Sequence, residues 1–149
     1  MKRELISVTL VVATVMLLIG CRTTRADGST EMYELAAALT KLSLALESTV
    51  RYKAPPDDAD DETLLALATE HDKSLREPFR DYKVRVLRAD RHAVVLVCKE
   101  DGTIGLLEDA GCTPKLDVHL WKEEPPRPCA FTLAVSEACA PSDAPQDAR

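Results

Sequence analysis

The sequence is short of glycine, of aromatic residues and of long apolar runs, and each shortage excludes a class of protein. The chain has five glycines, none of them in a phosphate-binding loop, so nucleotide binding has no support. The G-x-S-x-G elbow of α/β hydrolases is absent as well. The longest apolar run, residues 5–19, is shorter than the roughly 20 residues that an α-helix needs to span a bilayer.

Basic residues are also in short supply. The chain carries 19 Lys and Arg against 25 Asp and Glu, which gives a formal net charge of -6. Removal of residues 1–20 would take away Lys2, Arg3 and Glu4 and leave the remaining chain slightly more acidic. This balance argues against binding of nucleic acid and against electrostatic attachment to anionic lipid.

The start of the chain has the pattern of a secretory signal peptide. Met1-Lys2-Arg3 is cationic, residues 5–19 are uncharged and mostly apolar, and small Gly20 precedes Cys21. The tetrad Leu18-Ile19-Gly20-Cys21 resembles the lipobox of bacterial lipoproteins. That resemblance implies diacylglycerol on the Cys21 thiol, cleavage before Cys21 and, in many such bacteria, a third acyl chain on its amine. Two or three acyl chains hold a protein firmly on a bilayer, so the mature chain would be anchored without spanning.

The resemblance also implies a location. In enterobacterial lipoproteins an Asp after the acylated cysteine retains the protein in the inner membrane, and here Arg22 stands at that place. We therefore expect a lipid anchor in the bacterial outer membrane facing the periplasm, with the inner membrane as the alternative. Residues 94–121 are similar to small uncharacterised envelope lipoproteins, a likeness that implies no activity. The expected organisation is a signal peptide (1–20), an acylated Cys and tether (21–29), one domain (30–139) and a disordered tail (140–149).

Four further cysteines predict disulfides, because their number is even and the signal peptide directs the chain to an oxidising compartment. Their spacings do not match the paired ligands of a zinc site, so no metal is expected. Hairpin geometry places Cys98 and Cys112 about 20 Å apart, beyond the reach of a disulfide. Of the two remaining connectivities we favour Cys112 with Cys129 and Cys98 with Cys139.

The first half of the domain predicts helices. Apolar residues recur at helical spacing within residues 30–52, on one face formed by Met32, Leu35, Leu39, Leu42, Leu46 and Val50. This face is expected to cover a sheet, with a heptad-like seam for another copy or another protein as the alternative. Pro55-Pro56 ends the helix. Asp60 or Asp61 should cap a second helix over about residues 62–73, followed by a short turn at 74–77.

The second half predicts strands. The period changes to two from Tyr82, residues 93–98 are apolar on both faces, and Asp101-Gly102 predicts a two-residue hairpin turn that leads into residues 103–107. A fourth strand is expected at residues 130–135. The predicted fold is α+β, with two main N-terminal helices packed on one face of a three- to four-stranded antiparallel meander that is linked by disulfides.

No motif points to catalysis, and neither an enzymatic activity nor a cofactor is expected. His71, His92 and His119 could bind a metal only if the fold brought them together. The segment from Cys112 to Cys129 contains the only tryptophan, and we name Trp121, Pro125 and Pro126 as a candidate partner surface, within a loop closed by those two cysteines. The alternative is that Trp121 packs on the sheet as a lid.

Two hypotheses follow for function. The favoured one is a membrane-anchored envelope lipoprotein that serves as a non-catalytic binding or assembly module of the outer membrane or periplasm, with a possible envelope protein as partner. The other is a periplasmic enzyme or small-ligand binder with a pocket between helices and sheet. A deep cleft with converging His or acidic residues would favour the second, and a filled core with an exposed apolar patch would favour the first.

Overall fold

The computed structural model describes residues 28–113 and 117–140. The chain divides into two compact units, Met1–Thr30 and Glu31–Arg149, and nearly all described residues belong to the second unit. The predictions for the signal peptide, for Cys21 and for the tail beyond residue 140 lie outside the described residues. None of the helices in the described ranges is long and apolar enough to cross a membrane.

One long helix dominates the first half of the domain. Helix α1 spans Gly28–Tyr52, and the predicted apolar face is largely buried, with Leu39, Leu42 and Leu46 almost fully inaccessible. The helix ends where predicted: Ala54 takes a left-handed φ of 47° and Pro55-Pro56 follow. The buried face shares one core cluster with Val95 and Val97 of the sheet, so the expectation that it covers the sheet is confirmed.

The second helix is shorter than predicted. Helix α2 spans Asp61–Ala68 and is capped by Asp60, whose side chain accepts the Thr63 N–H at 2.8 Å. Thr69 leaves the helical conformation at φ -108°, and Asp72 caps a separate 3-10 helix, η1, over Lys73–Phe79. The fold therefore has one main helix rather than two.

The sheet is an antiparallel meander in the order β1-β2-β3-β4. Its three main strands are β1 (Tyr82–Ala89), β2 (His92–Lys99) and β3 (Gly105–Ala110), and the edge strand β4 is only Asp117–Val118. The fourth strand predicted at residues 130–135 is wrong. The N–H groups of Thr132 and Leu133 bind the Glu108 carboxylate instead of a neighbouring strand, and helix α3 begins at residue 135 (Val135–Ala138).

The turn between β2 and β3 is longer than the predicted two residues. Gly102, at φ 70°, donates its N–H to the Lys99 carbonyl at 2.8 Å, and the Lys99 N–H donates to the Ile104 carbonyl at 2.9 Å. Gly accepts this left-handed φ without a steric penalty. Cys98 nevertheless lies opposite Gly105, as the hairpin predicts, and a bulge at Val97/Cys98 then shifts the pairing by one residue, so that Val97 lies opposite Leu107.

Both faces of the sheet are covered. Ala93, Val95 and Val97 of β2 pack with the helices, whereas the alternate residues of β2 face the C-terminal segment. That segment contributes Val118, Leu120, Phe131, Leu133 and Val135. The prediction of β2 as a central strand, apolar on both faces, is confirmed, and the domain has three layers.

The disulfides join Cys98 to Cys129 and Cys112 to Cys139. The exclusion of a Cys98–Cys112 bond is confirmed, but the favoured pairing is wrong. The chain returns beside the hairpin, where the Cys129 N–H binds the Thr103 carbonyl at 3.0 Å, and this contact brings Cys129 to Cys98. The loop that would be closed by Cys112 and Cys129 therefore does not form.

Candidate functional site

A row of six uncharged residues runs along the exposed side of α1, next to the exposed charged residues Glu34 and Lys41. Its six members are spaced by three or four residues and will be called the α1 stripe: Tyr33, Ala37, Thr40, Leu44, Ser48 and Tyr52. The large hydrophobic side chains exposed in the described ranges are all in it, with Tyr33 at 51%, Leu44 at 54% and Tyr52 at 75%.

At its N-terminal end the α1 stripe meets the segment after β4. The Tyr33 ring lies 5.4 Å from the His119 ring and 6.0 Å from the Trp121 ring, measured between centroids. The Lys122 ammonium lies 4.7 Å from the Tyr33 centroid and donates a hydrogen bond of 2.8 Å to its hydroxyl oxygen. Tyr33 therefore connects the α1 stripe with the 3-10 helix η2 (Leu120–Lys122).

Trp121 is half-buried and packs against the main core cluster, as the lid interpretation expects. Its Nε1 is buried and has no hydrogen-bond partner in the described part of the chain. Pro125 and Pro126 are exposed in the loop that follows. The predicted partner surface is thus an exposed proline loop beside a tryptophan that is fixed on the core.

A cleft of about 360 Å³ lies between α2, η1 and β1. This is the kind of place in which the second hypothesis, a pocket between helices and sheet, would put a ligand. Arg76 spans it and donates two hydrogen bonds to the Glu62 carboxylate at 2.8 and 2.7 Å, which raise the pKa of Arg76. Burial, followed by the nearby Glu31 charge, raises the pKa of Tyr82 on the cleft wall. The cleft has the volume of a small-ligand site, but its arginine is already paired with a carboxylate.

The three histidines lie in separate places. His71 is exposed and contacts the Glu70 carboxylate at 2.9 Å, His92 begins β2, and His119 joins the rings beside Tyr33. The fold does not bring them together. The one group of possible metal ligands in the described ranges is His92 with Cys112 and Cys139, whose two sulfurs are bonded to each other.

Glu47 orients His92 in a way that resembles part of a catalytic triad. The His92 Nδ1 lies 2.7 Å from Glu47 Oε1, and the Ala93 N–H donates to Oε2 at 3.0 Å. A nucleophile would have to lie next to the imidazole, and the neighbouring sulfurs of Cys112 and Cys139 form a disulfide instead of a thiolate. These contacts of Glu47 join α1 to the start of β2.

Two more buried acidic residues, both in β3, form hydrogen bonds with the layers on either side of the sheet. Glu108 is fully buried, and its carboxylate accepts hydrogen bonds from the Thr132 N–H, the Thr132 hydroxyl and the Leu133 N–H. Asp109 accepts the Ser43 hydroxyl of α1 at 2.6 Å. Sequence reasoning missed both residues, although an acidic pair next to the apolar Leu106-Leu107 was a visible indication.

No protein-family model, curated protein or solved structure matches this chain. The functional argument therefore rests on the surface of the molecule and on its sequence motifs.

Proposed function

We propose that this protein is a membrane-anchored envelope lipoprotein and acts as a non-catalytic binding or assembly module of the outer membrane or periplasm. The lipid is carried by Cys21, and the binding surface is the α1 stripe with the adjoining Trp121 and proline loop. This proposal combines the lipobox resemblance of residues 18–21 with the exposed face of α1.

The α1 stripe is the observation that carries the binding proposal. Scattered exposed apolar residues are normal on a soluble protein, but aligned ones are typical of interaction sites. Here Tyr33, Leu44 and Tyr52 share one helix face with three small uncharged residues, over a distance of 19 residues. A face of this kind on a rigid helix fits an apolar partner without rearrangement of the fold.

The chemistry of the two clefts favours a partner-binding surface over a ligand-binding pocket as the site of function. In the cleft beside Arg76, the guanidinium and the Glu62 carboxylate satisfy each other, so a ligand would have to break two charge-assisted hydrogen bonds. The groove between α1 and η1, of about 370 Å³, is lined largely by small and apolar residues with isolated charges at Glu34, Lys41 and Asp72. Neither place is lined by a histidine, so neither offers an imidazole as a general base.

The anchor is tested by the substitution Cys21→Ala. Without the thiol no diacylglycerol can be attached, and we expect the variant to stay uncleaved and unlabelled by radioactive fatty acid. The wild type should remain in the membrane fraction during a high-salt wash, because hydrophobic anchorage is insensitive to ionic screening. Acyl labelling and normal processing of the alanine variant would refute the anchor proposal, and wild-type protein in the inner membrane would refute the outer-membrane location.

A further inference from the structure

We propose that the partner of the α1 stripe is a second copy of the same helix, packed antiparallel about a two-fold axis. The inference rests on the proposed function, since it names the partner of that same surface. Isologous contacts of this type use one patch on both copies, so the patch must be complementary to itself.

Four of the six members of the α1 stripe have the symmetry that such a contact needs. Its outer members Tyr33 and Tyr52, and its inner members Ala37 and Ser48, are related by reversal about a point between residues 42 and 43. In an antiparallel pair with this register, each tyrosine at one end meets a tyrosine of the other copy, and each small residue meets a small residue. Leu44 then lies beside the aliphatic part of Lys41 of the other copy, whose ammonium can stay in water.

Charge selects the antiparallel direction. The first turns of α1 carry Glu31 and Glu34, and its C-terminal end carries Arg51 and Lys53. Reversal about the same point places Glu34 level with Arg51 of the other copy, so opposite charges meet at both ends. A parallel pair would place acids beside acids and bases beside bases.

Of the two basic groups, Arg51 remains able to reach across, whereas Lys53 already pairs with Glu70 of its own chain. Arg51 is only loosely engaged within its own chain, at 3.5 Å from Glu47, and its side chain is 40% exposed. Glu34 is exposed on the rim of the stripe. The helix dipoles also favour the antiparallel direction, because the positive end of one helix lies beside the negative end of the other.

Small residues allow the helices to approach closely. Ala37, Thr40 and Ser48 leave little side-chain volume between the axes, so Leu44 can reach Lys41 of the other copy and the tyrosines can reach each other. Six positions per copy are fewer than the 20 to 30 residues per side, roughly, of a standard interface. We therefore expect weak pairing in solution and stronger pairing when a lipid anchor confines the copies to a membrane plane.

Fluorescence resonance energy transfer between labelled copies tests the pairing. Donor- and acceptor-labelled copies of the full-length acylated protein are reconstituted in phosphatidylethanolamine vesicles, and transfer is followed as the protein density rises. Leu44→Glu puts two carboxylates near the axis and should raise the density needed for half-maximal transfer by about tenfold or more. Ala66→Glu, the same charge on the exposed face of α2, should leave it unchanged. An unchanged melting temperature verifies that both variants are folded.

Crosslinking tests the direction. Copies with Ala37→Cys are mixed with copies carrying Ser48→Cys and treated with a short bismaleimide. The antiparallel register predicts a crosslink from position 37 to position 48, and none between two copies of position 37, which would lie about 16 Å apart along the axis. A 37-to-37 product, or no product together with no energy transfer, would overturn the inference. Vesicle flotation of the same samples reports the anchor independently, so loss of membrane attachment is distinguished from loss of pairing.

Discussion

Glu108 shows how a single side chain fixes a whole layer. Its fully buried carboxylate receives three donors from residues 132–133 and so holds the C-terminal segment on the outer face of the sheet. An alternating strand pattern at residues 130–135 does not reveal these donors, and this is why a strand was predicted there. Hydrogen bonds to a charged acceptor are stronger than those between strands and decide the local structure.

Glu108→Gln should destabilise the protein by about 2 kcal/mol, because the amide NH₂ group would face a donor and only one oxygen would remain to accept. The measurement is urea unfolding with the disulfides intact. Glu100→Gln, on the exposed hairpin turn, is the matched control and should change stability by less than about 0.5 kcal/mol. Equal stability of the two variants would show that the carboxylate does not hold the segment.

The effect of replacing Trp121 on stability shows whether its side chain packs on the core. It is half-buried against the core and touches Tyr33, so Trp121→Ala should cost about 2–3 kcal/mol of unfolding free energy, somewhat below the loss for a fully buried tryptophan. Tyr52→Ala, at a position 75% exposed, should cost less than about 0.5 kcal/mol. A loss below about 1 kcal/mol for Trp121→Ala would show that packing on the core does not hold its side chain.

At the scale of elements, the contact of α1 with the sheet depends on one missing side chain. A Cβ at Gly111 would lie 2.2 Å from the Ser43 carbonyl oxygen and 2.7 Å from the Glu47 Cβ. These are a backbone atom and the stem of a buried residue, neither of which can move aside alone. The close approach also serves the Ser43–Asp109 and Glu47–His92 contacts on either side.

Gly111→Ala should therefore destabilise the protein by about 3 kcal/mol through overpacking. Gly28→Ala is the control, because a Cβ at that position meets nothing within 4 Å and alanine favours the helix. Thermal unfolding of the two variants makes the comparison. If both variants melt with the wild type, the close packing of α1 on residue 111 is not required.

Helices and strands with a regular spacing of apolar residues could be predicted from the sequence, and those defined by tertiary contacts could not. The apolar steps of α1 and the alternation of β1 depend on local spacing and were found with nearly correct bounds. Helix α2 is shorter than predicted because Asp72 accepts the Ser74 N–H and so caps a separate 3-10 helix, a contact that apolar spacing does not reveal. The two-residue strand β4 exists only through its pairing with β3.

At the scale of the whole molecule, the sequence was enough to exclude one disulfide connectivity but not to choose between the other two. Ladder geometry within one hairpin excluded Cys98–Cys112, a conclusion that needs only local distances. The choice between the remaining pairings depended on the path of residues 117–139, which cross the outer face of the sheet and bring Cys129 to Cys98 and Cys139 to Cys112. Tertiary packing sets that path, so spacing along the chain could not select it.

The surface was predictable only in part. The buried face of α1 could be predicted from the spacing of its leucines. The exposed face is the opposite side of the same helix, and the sequence analysis did not name it. The contact of Tyr33 with Trp121 joins residues 88 positions apart and appears only in the folded chain. The candidate site thus contains the predicted Trp121, Pro125 and Pro126 together with an α1 stripe that was not named in advance.

The central claim is that the α1 stripe is covered by a partner in the cell envelope. It is tested most directly by the rate at which N-ethylmaleimide labels Leu44→Cys and, as the reference, Ala66→Cys. Both positions are exposed in the isolated domain, and the four cysteines at 98, 112, 129 and 139 are bonded in pairs.

In native envelopes we predict that position 44 reacts about tenfold more slowly than position 66, because an occupied interface excludes the reagent. After dilution into detergent the two rates should become equal. Equal rates already in native envelopes would contradict the account, since the α1 stripe would then be open to water where the protein works.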